Sequence, residues 1–230
     1  MKQKISENLV QLRGRIAEAC EEYDRDADDI TIVAVTKAHS AGAISHAVAA
    51  GIHHVGESRL QDALPKIAEV GPIARFHMIG HLQSNKAKKA VEAFDVIQSV
   101  DTIKLAEEIN RHAAELDRVI ECLLEVNCSG EEQKFGFAPS ELLVAVDQVN
   151  QLSNISLIGL MTIGPMTDNA AKIRGAFSDC HALFLQAKEI SGDDFDTLSM
   201  GMSDDFELAI AEGSTMIRPG TAIFGARPTK

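Results

Sequence analysis

Apolar residues at Ile5, Leu9, Leu12, Ile16 and Cys20 recur every three or four positions, with Arg13, Glu18 and Glu21 between them, and predict an amphipathic helix over residues 3–22. The pattern then changes. Residues 30–37, Ile-Thr-Ile-Val-Ala-Val-Thr-Lys, form a β-branched run without polar alternation, as expected of a strand covered on both faces in a parallel sheet. Helix-like sequence over 41–50 follows, and the same alternation repeats. Short apolar or mixed runs at 53–56, 75–80, 95–100, 121–127, 157–163, 196–202 and 215–218 are each separated by enough chain for a helix. Examples are Leu105, Ile109 and Leu116 after a cap expected at Asp101, and Leu142, Leu143 and Val146 after Pro139-Ser140.

Strands alternating with helices require crossovers and hence a parallel sheet. Eight such units preceded by one extra helix predict a (β/α)8 TIM barrel, in one domain over residues 1–230 because no Pro/Gly/Ser-rich linker interrupts them. An open doubly wound sheet competes, but no GxGxxG turn follows the first strand.

Composition narrows the partners. The 22 Lys+Arg against 34 Asp+Glu leave a formal charge of −12, the wrong field for nucleic acid or an anionic membrane surface. The longest nearly apolar run, 157–166, is about half of what a bilayer crossing needs. The first eight residues carry no apolar leader core, and Cys20, Cys122, Cys128 and Cys180 form no CxxC pair, so a cytoplasmic protein with reduced thiols is expected. Neither His77 nor His81 has metal-ligand spacing to a cysteine or carboxylate, and no metal is expected.

In a barrel, residues at the strand C-termini carry the chemistry. Lys37 ends the first strand. An amine desolvated there would have a larger neutral fraction, suited to attack on an aldehyde or ketone; a lysine merely snorkelling from a strand end is the plain alternative. The last two strands close with Leu198-Ser199-Met200-Gly201-Met202-Ser203 and Ile217-Arg218-Pro219-Gly220-Thr221. Ser199, Gly201, Ser203, Gly220 and Thr221 form a candidate phosphate pocket, with Arg218 as its fixed positive charge. Phosphate, a pyridine nitrogen and a carboxylate all suit Arg218, and Ser203 could instead be a helix cap. Asp204-Asp205 would repel a phosphate unless turned away. Ser58, His77 and His81 complete the candidates, the histidines as acid–base groups. Lys86, Lys88 and Lys89 read as a solvated basic helix face.

Together, Val35-Thr36-Lys37, Gly56-Glu57, residues 77–86, residues 198–205 and residues 220–225 resemble the pyridoxal phosphate homeostasis protein family, single-domain relatives of the barrel half of alanine racemase. The resemblance runs from the opening helix through Arg227. It implies that Lys37 holds pyridoxal 5'-phosphate (PLP) as an internal aldimine. Ser58, His77, Ser199, Gly201, Ser203, Arg218, Gly220 and Thr221 would surround that cofactor. It further implies a role in PLP homeostasis without strong catalysis, with transient contact with PLP-requiring enzymes. Two positions depart from the family pattern. Ser58 stands where Asn is usual, and Pro219 removes a backbone donor from the last strand's end. A racemase needs a second acid–base group opposite the lysine, and the only tyrosine, Tyr23, lies in the first helix. A low-activity amino-acid racemase and a cofactor-free Schiff-base lyase are the alternative readings.

Overall fold

The computed structural model describes residues 2–226; the Arg227 at which the family resemblance ends lies outside them. The opening helix α1 spans Lys2–Glu22 and buries the predicted stripe of Ile5, Leu9, Leu12, Ile16 and Cys20. Eight strands follow in sequence order: β1 Thr31–Val35, β2 His54–Glu57, β3 Arg75–Met78, β4 Val96–Val100, β5 Ile120–Glu125, β6 Ile155–Met161, β7 Thr197–Ser199 and β8 Met216–Ile217. Every neighbouring pair is parallel, and β8 pairs back to β1 through Thr31 with Met216 and Ile32 with Ile217, so the barrel is closed. Closure removes both sheet edges, and with them the unpaired backbone groups an open sheet would present.

Between the strands run α2 Ala41–Ala49, α3 Leu60–Val70, α4 Ala87–Ala93, α5 Ile103–Glu115, α6 Leu142–Asn150, α7 Ala170–Ser191 and α8 Phe206–Ala211, with the single-turn α9 Thr221–Phe224 after β8. The main core lies between strands and helices, where Val55, Phe76, Ile97, Leu124 and Leu198 meet Ile44, Leu105, Val146, Phe177 and Phe206. A smaller cluster of Val96, Leu123 and Met161 occupies the opposite strand face, inside the barrel. α1 is tied to the end of the chain: the Asn8 Nδ2 donates to the Ile223 carbonyl at 2.8 Å, and Arg15 lies over the Phe206 ring at 4.5 Å while pairing with Glu207.

The structure corrects several local expectations. β1 ends at Val35, two residues before Lys37. The cap of α5 is Thr102, whose side-chain oxygen accepts from the Leu105 N–H; Asp101 instead accepts from His81. The basic stretch starts as a 3-10 turn over Ser84–Lys86 before α4, with Lys88 and Lys89 exposed. Of the methionines near strand ends, Met161 and Met200 are buried and Met166 is exposed. Cys128 and Cys180, 52 residues apart in sequence, lie close enough for their thiols to influence one another's titration. No helix among the described residues is long and apolar enough to cross a membrane.

Candidate functional site

The strand C-termini open onto a cavity of about 380 Å³ lined by Lys37, Ser58, Ser203, Arg218, Gly220 and Thr221, together with Val35, His39, Ile79, Gly80, Ile163, Met202 and Asp204. Its position follows from the fold, since parallel strands direct their connecting loops to one face. Each wall has a local cause.

On the β1 side, Thr36 is buried and fastened. Its hydroxyl donates to Glu57 Oε1 at 2.5 Å, its N–H donates to the Gly56 carbonyl at 3.0 Å, and its carbonyl accepts from the Lys66 ammonium at 2.9 Å. Lys66 also pairs with Glu57 at 2.7 Å, which leaves Glu57 Oε2 buried and without a hydrogen bond. Lys37 follows directly, and Ala38 then turns the chain at φ 67°, a left-handed conformation costly for a residue with a Cβ. The expected desolvation of Lys37 does not occur. With β1 ending early, the residue is exposed while still lining the cavity.

On the β7–β8 side, Arg218 is buried, only 4% exposed. One guanidinium nitrogen donates to Ser199 Oγ at 2.6 Å and another to the Thr162 carbonyl at 2.7 Å, while its backbone N–H meets the Gly201 carbonyl at 2.9 Å. Burial pulls the guanidinium pKa down to about 10 against the opposing attraction of Glu125 and Asp205, so the group stays cationic at neutral pH. No carboxylate among the described residues forms an ion pair with it. Ser203 does not cap the helix that follows it, since α8 begins after Asp205; its Oγ instead accepts from the N–H groups of Gly220 at 3.0 Å and Ala222 at 3.1 Å, at the start of α9. The Asp205 carboxylate is turned onto the Met202 N–H at 2.6 Å, whereas Asp204 stays in the cavity wall. Pro219, lacking an N–H, contributes its carbonyl to the Val35 N–H at 2.9 Å and ties the two sides together.

Four candidate residues, Ser199, His77, Gly201 and His81, do not line the cavity. Ser199 and His77 point into the barrel, where both are buried and hydrogen-bonded to Gln98. Gly201, at φ 94°, serves packing: a Cβ there would sit 2.6 Å from Ala209 Cβ and 2.9 Å from Phe206 Cα. His81 lies on the rim, bonded to Asp101 at 2.8 Å and stacked on Phe135 with ring centroids 3.7 Å apart.

Sequence reasoning passed over Glu125, His39 and Gln98. Glu125 closes β5 beside this site, and burial, reinforced by Asp101, raises its carboxyl pKa to about 7. A polar residue ending or interrupting an apolar strand, as Glu125 and Gln98 do, was the available signal. Among the described residues no group of three or more His, Cys, Asp or Glu could hold a metal ion.

The donor set fits a small anionic aldehyde: an accessible amine, a buried cation and three hydroxyls from Ser58, Ser203 and Thr221 surround one space. Such a barrel and site define the alanine racemase type, and residues 8–228 match the family "Alanine racemase, N-terminal domain". The chain belongs to the pyridoxal phosphate homeostasis protein family. It is 41% identical over 228 residues to the "Pyridoxal phosphate homeostasis protein" of Pseudomonas aeruginosa, covering 97% of this chain and 96% of that one. The Escherichia coli K12 protein of the same name is 38% identical, with 97% of each chain covered. Among solved structures, PipY of Synechococcus elongatus with PLP bound superposes with a TM-score of 0.84 at 38% identity, over 96% of this chain and all of that one. Alanine racemase of Clostridium difficile shares the fold alone, with a TM-score of 0.75 at 16% identity; the match covers 99% of this chain but 57% of the racemase.

Proposed function

We propose that this protein binds PLP covalently through Lys37 and serves intracellular PLP homeostasis, holding the cofactor and passing it to the enzymes that require it, without strong catalysis of its own. The observation that carries the reading is the convergence of Lys37, Arg218, Ser203 and Thr221 on one cavity. PipY, a relative over nearly its full length, is described with PLP bound.

When bound, PLP supplies an aldehyde that condenses with amines and a ring that withdraws electrons. Lys37 supplies the amine. Because it is exposed, a competing amine can reach the same carbon, which suits storage and transfer better than a sealed catalytic centre. Ser203 accepts two backbone N–H groups, so its own hydroxyl proton remains to donate to the phosphate, polarised by the bonds it accepts. Thr221 adds a second hydroxyl donor. Arg218 addresses the pyridine nitrogen. A guanidinium donates and cannot accept, so it keeps that nitrogen unprotonated and weakens the electron withdrawal on which amino-acid chemistry depends. Tyr23 lies beneath Arg174, outside the cavity, and supplies no second proton carrier.

One observation favours the low-activity racemase reading: His39 lines the cavity beside Lys37 and is titratable. Exchange of the α-proton of free amino acids in deuterated water separates the two. Exchange at enzymatic rates that His39→Ala abolishes would establish catalysis. The binding claim is tested by absorbance titration with PLP. A new band above the free cofactor's is expected for the wild type and absent for Lys37→Ala; an unchanged band in the variant overturns the assignment.

A further inference from the structure

The barrel interior is crossed by an unbroken line of polar contacts. Arg218 donates to Ser199 Oγ at 2.6 Å, Ser199 donates to Gln98 Oε1 at 2.7 Å, Gln98 Nε2 meets His77 Nδ1 at 2.9 Å, and His77 Nε2 meets His54 Nδ1 at 2.9 Å. Arg218 lines the cavity at the barrel mouth, and His54 lines a separate cavity at the opposite end, with Arg13, Asp28 and His53 in its wall. His77, Gln98 and Ser199 are all buried.

The direction of every link follows from the first. A guanidinium has no acceptor, so the Ser199 oxygen accepts and its proton goes to the Gln98 carbonyl. That turns the Gln98 N–H2 toward His77, whose Nδ1 must then be the bare nitrogen and Nε2 the protonated one. His54 in turn accepts at Nδ1 and carries its proton on Nε2. Five groups are thus joined head to tail by four bonds, each donated from the mouth toward the base, an arrangement in which each bond polarises the next. A layer of this kind is not needed for packing, because the neighbouring interior positions Val96, Leu123 and Met161 fill the barrel with apolar side chains.

We propose that Gln98, His77 and His54 are positioning residues for Arg218, joined into one line that carries a protonation event at the base of the barrel to the guanidinium at its mouth. The inference rests on the cofactor reading for its spectral consequence and not for the line itself. When His54 takes a proton from solvent, both of its nitrogens carry hydrogen, and its Nδ1–H faces the Nε2–H of His77. The contact is restored only if His77 adopts its other tautomer, losing one proton to water at Nε2 and gaining one at Nδ1, so that the net uptake is the single proton on His54. Gln98 must then turn its amide over and donate to Ser199 instead of accepting from it. The Ser199 oxygen is left sharing its lone pairs between the amide and the guanidinium, and its hold on Arg218 loosens.

The charges facing His54 are those of Arg75 on β3, the adjoining His53, Glu121 on β5 and Asp95 before β4; Arg13 and Asp28 share its cavity wall. Burial, aided by Arg75, moves its titration below the ordinary 6.5, and burial moves His77 well below it, so His54 takes the proton first. The change therefore falls on the acid side of neutrality.

The line is tested on the full chain by ¹⁵N NMR of labelled histidines, with and without PLP. The expected result is the Nε2–H tautomer for both His54 and His77 at neutral pH, with His77 passing to Nδ1–H as His54 titrates. His77 as Nδ1–H at neutral pH, or unmoved while His54 titrates, overturns the proposal. The consequence at the mouth is read from the Kd for PLP. His54→Asn keeps an acceptor for His77 but cannot titrate, so the Kd of each protein is compared with its own value at neutral pH. On acidification the variant should lack roughly a fivefold share of the wild type's loss of affinity. Identical acid profiles in the two proteins contradict the coupling. If PLP does not bind at all, the cofactor reading fails while the tautomer measurement still decides the line.

Discussion

The two sides of the cavity are built in opposite ways. On the β1 side the backbone is anchored through Thr36, Glu57 and Lys66, yet the functional side chain, Lys37, stands exposed just before the left-handed turn at Ala38. On the β8 side Arg218 is buried and held by Ser199, Thr162 and Gly201. The contrast teaches that the group proposed to make a covalent bond is left room to exchange partners, while the group proposed to set the cofactor's electronics is fixed. A catalyst would enclose both in a dry site; a carrier needs only the second to be rigid.

Breaking each side should have different consequences. Lys37→Ala removes the shifted absorbance band altogether yet leaves urea denaturation of the cofactor-free protein unchanged within error, because the side chain is exposed. Arg218→Met should keep a band but weaken PLP binding by about 2 kcal/mol, roughly thirtyfold in Kd at equilibrium, the worth of a charge-assisted bond. Equal losses of the band in both variants would erase the distinction.

The buried side has a pH signature. Glu125, with its carboxyl pKa raised from 4.5 to about 7, keeps its proton in the folded state where the unfolded chain has lost it. Stability should therefore fall as pH rises from about 4.5 to about 7 and level off above, by an amount on the order of 3 kcal/mol. Glu125→Gln should flatten that portion of the urea-denaturation profile; a slope identical to the wild type's would place the charge elsewhere. Gly201→Ala should cost about 2 kcal/mol, seen as a lower Tm, since its Cβ would collide with Ala209 and Phe206 at an unfavourable φ. Smallest is Ser203→Ala, about 1 kcal/mol in the cofactor-free protein, because two backbone N–H groups lose their acceptor.

Much of this was legible in the chain. Eight runs of strand-like sequence at 30–37 through 215–218 all became strands, because each is a short apolar or mixed run between helical periods. Lys37, Arg218, Gly220 and Thr221 were brought to one cavity because barrel topology sends every strand end to the same face. What was not legible depends on contacts between distant segments. The early end of β1 follows from Thr36 turning to Glu57, and the role of Ser203 from its approach to Gly220 and Ala222; neither has a local signal. Ser199 and His77 sit near strand ends, which in a barrel point to the mouth, yet their side chains enter the interior. In a strand, alternate residues face the interior, and a shift of register decides which they are. The Gln98 chain required four strands, β2, β3, β4 and β7, and the end of β8 to be aligned at once.

The central claim, that the Lys37 amine carries the cofactor, is tested most directly by treating PLP-loaded protein with borohydride and mapping the pyridoxyl adduct by peptide mass spectrometry. The account predicts one adduct, on the peptide containing Lys37. An adduct confined to Lys66, Lys134 or another lysine, with Lys37 unmodified, would contradict it.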